Sequence, residues 1–301
     1  MTAQLMTSPS SNLLASAVVV ASAAAWGCWW IPLRTIDAFG FRGDWASVAV
    51  LCIAAICLAP FIARRAGRLM RAGAMVWGTG LFFGAMFATY QHGLISGDVV
   101  RVTLLFYLAP VWGSILSMLV LGARFSLLRL VVILLGFAGA AVILDFTEGV
   151  PMPHGLGEWM GLGSGITFAV GATFAHKVKG SYEVEKTWLS FVFGAGIAAI
   201  FIVVNPVYPV PDADQLLAVV PFATAAALFI LIPITWAMVW GAQRLDPGRV
   251  SRLLMFEVIA ASVSASLFAG EPYGSEKLIG TAMILSAGAL DALGPIARFS
   301  R

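Results

Sequence analysis

Apolar residues along this chain fall into long runs, separated by short breaks of charged residues, proline and glycine. A run of about 20 apolar residues, wound as a helix rising 1.5 Å per residue, crosses the hydrocarbon core of a bilayer. The pattern predicts ten such helices, near residues 12–34, 44–63, 72–96, 99–122, 125–145, 157–177, 187–205, 215–242, 249–270 and 275–295. Arg129 and Lys277 shorten the uncharged cores of the fifth and tenth, but both lie near an end, where a long side chain snorkels to the headgroups. No Lys or Arg precedes the first run and many similar runs follow, so it is expected to be a retained helix rather than a signal peptide.

Composition narrows the class. Of 301 residues, 60% are hydrophobic and 11% charged, against about 25% charged in soluble domains, and the mean hydropathy is +0.93. One soluble core cannot bury that much apolar surface, so lipid is the expected solvent. Cys28, Cys52 and Cys57 lie inside apolar runs, as small hydrophobes rather than a disulfide framework or metal cluster. The net charge of +3 implies no nucleic-acid partner.

Loop charges set the expected orientation, because short cytoplasmic loops retain Lys and Arg. With the N-terminus inside, the inner loops hold Arg64, Arg65, Arg68, Arg71, Arg124, Arg129, Lys177, Lys179, Lys186, Arg244, Arg249 and Arg252, and the C-terminus adds Arg298 and Arg301. The outer side keeps Arg34, Arg42, Arg101 and Lys277. Both termini are therefore expected to be cytoplasmic.

The chain also resembles itself at a shift of 148 residues. Asp98 falls on Asp246, Arg101 on Arg249, Val102 on Val250, Leu105 on Leu253, Ser114 on Ser262, Leu119 on Leu267 and Gly122 on Gly270. Each half holds five predicted helices, and an odd number of crossings inverts the second half relative to the first. The expected fold is all-α and integral to the membrane. Its two inverted-topology repeats, residues 1–150 (helices 1–5) and 151–301 (helices 6–10), surround a central cavity. Secondary transporters share this plan, with the site near the midplane between repeats. Gly80 and Gly84 on the third helix, and Gly157, Gly161 and Gly165 on the sixth, form small-residue faces for close helix approach. Pro110 and Pro233 lie deepest among the prolines and are the expected hinges.

Glu257 is the acidic side chain deepest inside a predicted span, roughly 12 Å along the axis from Arg249. An ionised carboxylate there costs on the order of 2.5–3.5 kcal/mol on insertion scales, so it should face the bundle interior or be protonated. It is a candidate for a substrate amine or a proton, the alternative being a structural bond to a neighbouring helix. Trp26 and Trp30 on the first helix, Tyr90 and His92 on the third and Tyr107 on the fourth are candidates for an aromatic cavity wall opening to the outside. Each has a plain alternative: an interfacial belt for the tryptophans, a structural partner for the others. Trp29, Trp45, Trp159 and Trp240 are expected in the belt. Arg34 and Arg101 could draw an anionic group to the outer mouth or anchor headgroups, and Arg249 could do the same from the inner side. No paired carboxylates at helical spacing, HExxH or Gly-x-Ser-x-Gly supports an enzyme, and no filter sequence supports a channel. No catalytic residue, metal or cofactor is expected.

Several of these features together resemble the EamA-type members of the drug/metabolite transporter superfamily: Trp26-Gly27 with Arg34 closing the first helix, Pro110 to Gly122, and Glu257 to Leu285 with its Gly270-Glu271-Pro272 turn. The chain departs from the family pattern at Gly122-Ala123-Arg124, which lacks the usual Glu, and at Glu257-Val258 and Ala109-Pro110, which each keep half of a Glu-Pro pair. Tyr107-Leu108-Ala109-Pro110 and the aromatic first and third helices are most similar to YddG-type exporters of aromatic amino acids. That resemblance implies a transporter exporting phenylalanine, tyrosine, tryptophan and other neutral amino acids across a bacterial inner membrane, and the chain is expected to act as a monomer. A purine, a drug-like cation or a sugar nucleotide is the alternative cargo.

Overall fold

The computed structural model of the chain describes residues 9–120, 127–143, 153–178, 182–242, 253, 256–270 and 274–293. Every regular element among them is helical. Four continuous stretches are long and apolar enough to cross a membrane: Leu13–Ala38, Asp44–Ala63, Glu183–Val204 and Ala213–Ala237. The protein is therefore a multi-pass membrane protein, with further shorter apolar helices.

Helix occupies each of the ten apolar stretches, but several stretches are broken within. The first comprises α1 (Pro9–Gly27) and α2 (Trp30–Ala38). Pro32 has no N–H to give the Cys28 carbonyl, which instead accepts from Ile31 at 3.1 Å, a tighter turn that marks the break. Next come α3 (Asp44–Ala63), the short α4 (Ala66–Met70) and α5 (Ala74–Ser96). The fourth stretch comprises α6 (Val99–Phe106) and α7 (Ala109–Val120). It breaks at Tyr107–Leu108, directly before Pro110, whose missing N–H leaves the Phe106 carbonyl without its helical donor. Then follow α8 (Leu127–Ile143), α9 (Leu156–Lys177) and α10 (Glu183–Val204).

The eighth stretch comprises α11 (Ala213–Ala226) and α12 (Ile232–Ala242), joined by a π-helical turn, Ala227–Leu231. Pro233 follows directly and deprives the Phe229 carbonyl, inside that turn, of its donor. The ninth stretch contains α13 (Phe256–Ser264) and a second π-helical turn, Ala265–Ala269, ending at Gly270 with φ +67°. The last helix is α14 (Ser275–Leu293).

Packing links distant parts of the sequence. Helix α5 runs along α9 and α10, α3 along α10, and α8 along α14. Helix α1 lies against α12 and α13, while α9 lies against α6 and α7. The glycine faces make the close contacts. A Cβ on Gly161 would lie 2.8 Å from the Val102 carbonyl oxygen, and one on Gly165 would lie 2.7 Å from that of Phe106, the carbonyl that Pro110 cannot serve. Gly80 and Gly84 press in the same way on Leu189 and on Ser190–Gly194 of α10.

Trp29 departs from expectation: it is wholly buried within the bundle rather than placed in an interfacial belt. Trp159 is 46% exposed, and the side chain of Trp240 lies outside the described residues. The second copy of the repeat frame, Asp246 to Val250, also lies outside them, as does Arg249.

Candidate functional site

Glu257 is the second residue of α13, and α13 crosses the end of α1 at Gly27. A Cβ on Gly27 would lie 2.7 Å from the Ala261 nitrogen and closer still to the Glu257 carbonyl, so only glycine lets the two backbones meet here. That close crossing carries Glu257 inward until 4% of its surface remains exposed.

Two phenols meet the carboxylate, both from the first half of the chain. The Tyr107 hydroxyl donates to Oε2 at 2.9 Å, and the Tyr90 hydroxyl donates to Oε1 at 3.3 Å. Tyr107 stands at the break between α6 and α7, where the chain leaves one helix before Pro110 opens the next. Tyr90 comes from the middle of α5, and its hydroxyl also lies 3.1 Å from Thr103 Oγ1 on α6. Phe106 packs against both phenol rings, with centroids 5.0 Å from Tyr90 and 5.4 Å from Tyr107. A carboxylate in an apolar interior is tolerable when its oxygens accept good hydrogen bonds, and two phenols supply them.

The tryptophans border the same crossing. Trp30 donates through Nε1 to Ser264 Oγ at 2.9 Å, two turns beyond Glu257 on its helix, and Ser264 in turn bonds the Ala261 carbonyl at 3.1 Å. Trp26 stacks on Phe87 of α5 with centroids 5.5 Å apart and rings 19° from parallel, and meets Trp29 edge-on at 6.1 Å. The structure thus gathers Trp26, Trp30, Tyr90, Tyr107 and Glu257 around the meeting of α1, α5, α6 and α13. His92 belongs elsewhere. Its Nδ1 lies 2.8 Å from an Asp44 carboxylate oxygen on α3, and its ring meets Phe201 of α10 edge-on at 5.7 Å.

Sequence reasoning passed over Ser264, Phe87 and Thr103. Ser264 is seven residues after Glu257 and Phe87 three before Tyr90, spacings that share a helix face and could have flagged both. Thr103 carried no such signal, because its partner lies across a loop.

Charged groups knit one end of the bundle. Arg34 donates to the Leu94 and Gly97 carbonyls at 2.8 and 2.7 Å and covers the Trp30 ring at 5.3 Å. Asp98 caps α6 by accepting from the Arg101 backbone at 2.8 Å and pairs with Lys277 at the start of α14. Arg101 pairs with Glu158 of α9 at 3.0 Å. At the other end, Glu185 of α10 is wholly buried beside Arg68 at 3.5 Å and Arg65 at 3.9 Å.

In sequence, residues 13–145 match the EamA-like transporter family. No curated protein matches the chain. Among solved structures, one crystal structure aligns over 98% of this chain and 100% of its own, with a TM-score of 0.55 at 16% identity. At that identity the likeness is one of fold.

Proposed function

We propose that this protein is a secondary transporter that exports aromatic and other neutral amino acids across a bacterial inner membrane by alternating access. In this reading ten membrane helices form two inverted five-helix repeats, 1–150 and 151–301, with cytoplasmic termini. The site includes Trp26, Trp30, Tyr90, Tyr107 and Glu257, with His92 set apart on the outer side.

The observation that carries the reading is the Glu257 carboxylate, brought by the second half of the chain and bound by two phenols of the first half where broken helices meet. Discontinuous helices at a repeat interface are how transporter folds place polar groups at membrane depth. The carboxylate can take a substrate ammonium in exchange for a phenol, and the aromatic rings around it can hold an apolar side chain.

Two further observations support the plan. Helix α1 packs against the eighth and ninth stretches as α9, five stretches later, packs against the third and fourth. That is the reciprocity a two-fold relation between halves requires. The match to the EamA-like transporter family covers the first five stretches, one proposed repeat, and favours small-molecule transport over channel or enzyme readings.

Uptake of radiolabelled phenylalanine into proteoliposomes of the purified protein tests the proposal, with unlabelled threonine, adenine and a quaternary ammonium drug as competitors. Saturable uptake inhibited by amino acids is expected. No uptake, or inhibition by adenine or the drug alone, would overturn the substrate.

A further inference from the structure

Beside Tyr90 on α5, the bundle buries polar groups with nothing to bond. Gln91 is 0% exposed, and neither its amide oxygen nor its amide nitrogen has a hydrogen-bond partner. The same holds for Ser47 Oγ on α3 and for Trp29 Nε1 at the break between α1 and α2, both residues also 0% exposed.

Helix register places these three within about one turn of one another along the bundle. Two layers of contact fix α3, α5 and α10 against one another. In the first, Gly84 meets Gly194, and Gly194 meets Leu51. In the second, His92 meets both Asp44 and Phe201. Ser47, Gln91 and Ala198 lie between those layers on their respective helices, and Ala198 contributes only a methyl group. The first stretch runs beside α5 from the Trp26–Phe87 stack to the bond between Arg34 and the Leu94 carbonyl. Trp29 falls between those contacts, at the height of Gln91.

A buried amide left unbonded costs about 1–3 kcal/mol relative to one that is satisfied, and an apolar side chain of similar shape would carry no such cost. Three such groups within about one turn make a polar site. Its chemistry is specific: Trp29 offers a donor, while Ser47 and Gln91 offer donors and acceptors. The Asp44–His92 pair adjoins the group, His92 directly after Gln91 and Asp44 one turn from Ser47, with the carboxylate already joined to His92 Nδ1. A set of uncharged donors and acceptors beside a paired carboxylate suits neither an anion nor a cation. It suits a neutral group that both donates and accepts.

We propose that Trp29, Ser47 and Gln91 form an uncharged subsite that takes a hydroxyl or carboxamide group of the transported solute. This rests on the transport reading and says which of its neutral amino acids the site favours, those with a hydroxyl or carboxamide group. Tyr90, which bonds Glu257, directly precedes Gln91 on α5, so the two sites are neighbours and can engage different ends of one molecule.

Threonine and valine test this, because they have the same shape and differ by one hydroxyl. In thermal unfolding of the detergent-purified protein, threonine should stabilise at a concentration at least about tenfold lower than valine, since a site built for a hydroxyl penalises its absence. Gln91→Leu should erase that difference, and Ser47→Ala should shrink it. Without solute, Gln91→Leu should melt no lower than wild type, because it removes an unbonded amide; a fall in Tm would mean that Gln91 has a structural bond and would overturn the proposal. Equal stabilisation by the two amino acids would overturn it too. Proteoliposomes that take up phenylalanine yet treat threonine and valine alike would sink the subsite and spare the transporter. Uptake of no amino acid would sink the transport reading and the subsite with it.

Discussion

Glu257 is held by unequal partners. Tyr107 donates at 2.9 Å, whereas Tyr90 donates at 3.3 Å and has Thr103 as a second neighbour. A hydrogen bond to a charged group contributes about 1.5–3 kcal/mol, and the shorter bond should carry more of it. Tyr107→Phe is therefore expected to lower the melting temperature more than Tyr90→Phe, and both should impair transport at matched expression. The reverse order in the melts would show that Tyr90 is the main anchor. Much of this was legible in the sequence, since a lone carboxyl deep in an apolar run needs donors and a buried phenol needs an acceptor. The position of His92 was not. Its partner Asp44 lies 48 residues away at the start of another helix, and no local spacing connects them. Trp29 misled for a similar reason: expected in the belt, it is wholly buried between Trp26 and Trp30, and the helices that cover it come from distant parts of the sequence.

At the scale of elements, proline and glycine act in pairs across helices. Pro110 deprives the Phe106 carbonyl of its donor, and Gly165 on α9 leaves room for that oxygen; Gly161 does the same for Val102 one turn away. Gly163 lies on another face of α9, where a methyl group in place of its hydrogen would meet nothing within 4 Å. Three alanine variants separate packing from backbone preference. Gly163→Ala should be neutral or stabilise by up to about 1 kcal/mol, since alanine favours helix over glycine. Gly161→Ala and Gly165→Ala force a backbone shift and should destabilise by about 1–3 kcal/mol, the range for overpacking. Equal melts for all three would mean that α9 does not press on α6 as described. The i, i+4, i+8 glycines were legible as a packing face, and Pro110 as a place where a helix gives way. The π-helical turns at Ala227–Leu231 and Ala265–Ala269 were not, because an inserted residue leaves the apolar composition of a run unchanged.

For the whole molecule, ion pairs tie the two halves of the chain together at one end. Asp98 with Lys277, Arg101 with Glu158, and Arg34 with the Leu94 and Gly97 carbonyls all join elements at the end that the loop charges predict to be outside. Two of these ties run from the first half of the chain to the second, so rocking one half against the other must break them. Partly buried charge pairs resist such opening more than surface pairs do, because each ion stranded by opening needs new solvation. The pair Lys277→Met with Glu158→Gln removes both ties and should favour the outward-open state. Thr103 reports on it, being 1% exposed and located just inside the knot. With Cys28, Cys52 and Cys57 replaced by Ala, a Thr103→Cys chain should resist a membrane-impermeant maleimide added outside cells. The same chain carrying Lys277→Met and Glu158→Gln should be labelled. Equal labelling in both backgrounds would mean that the ion pairs decorate this end without closing it. Labelling only from the cytoplasmic side would invert the orientation that the arginine-rich loops imply.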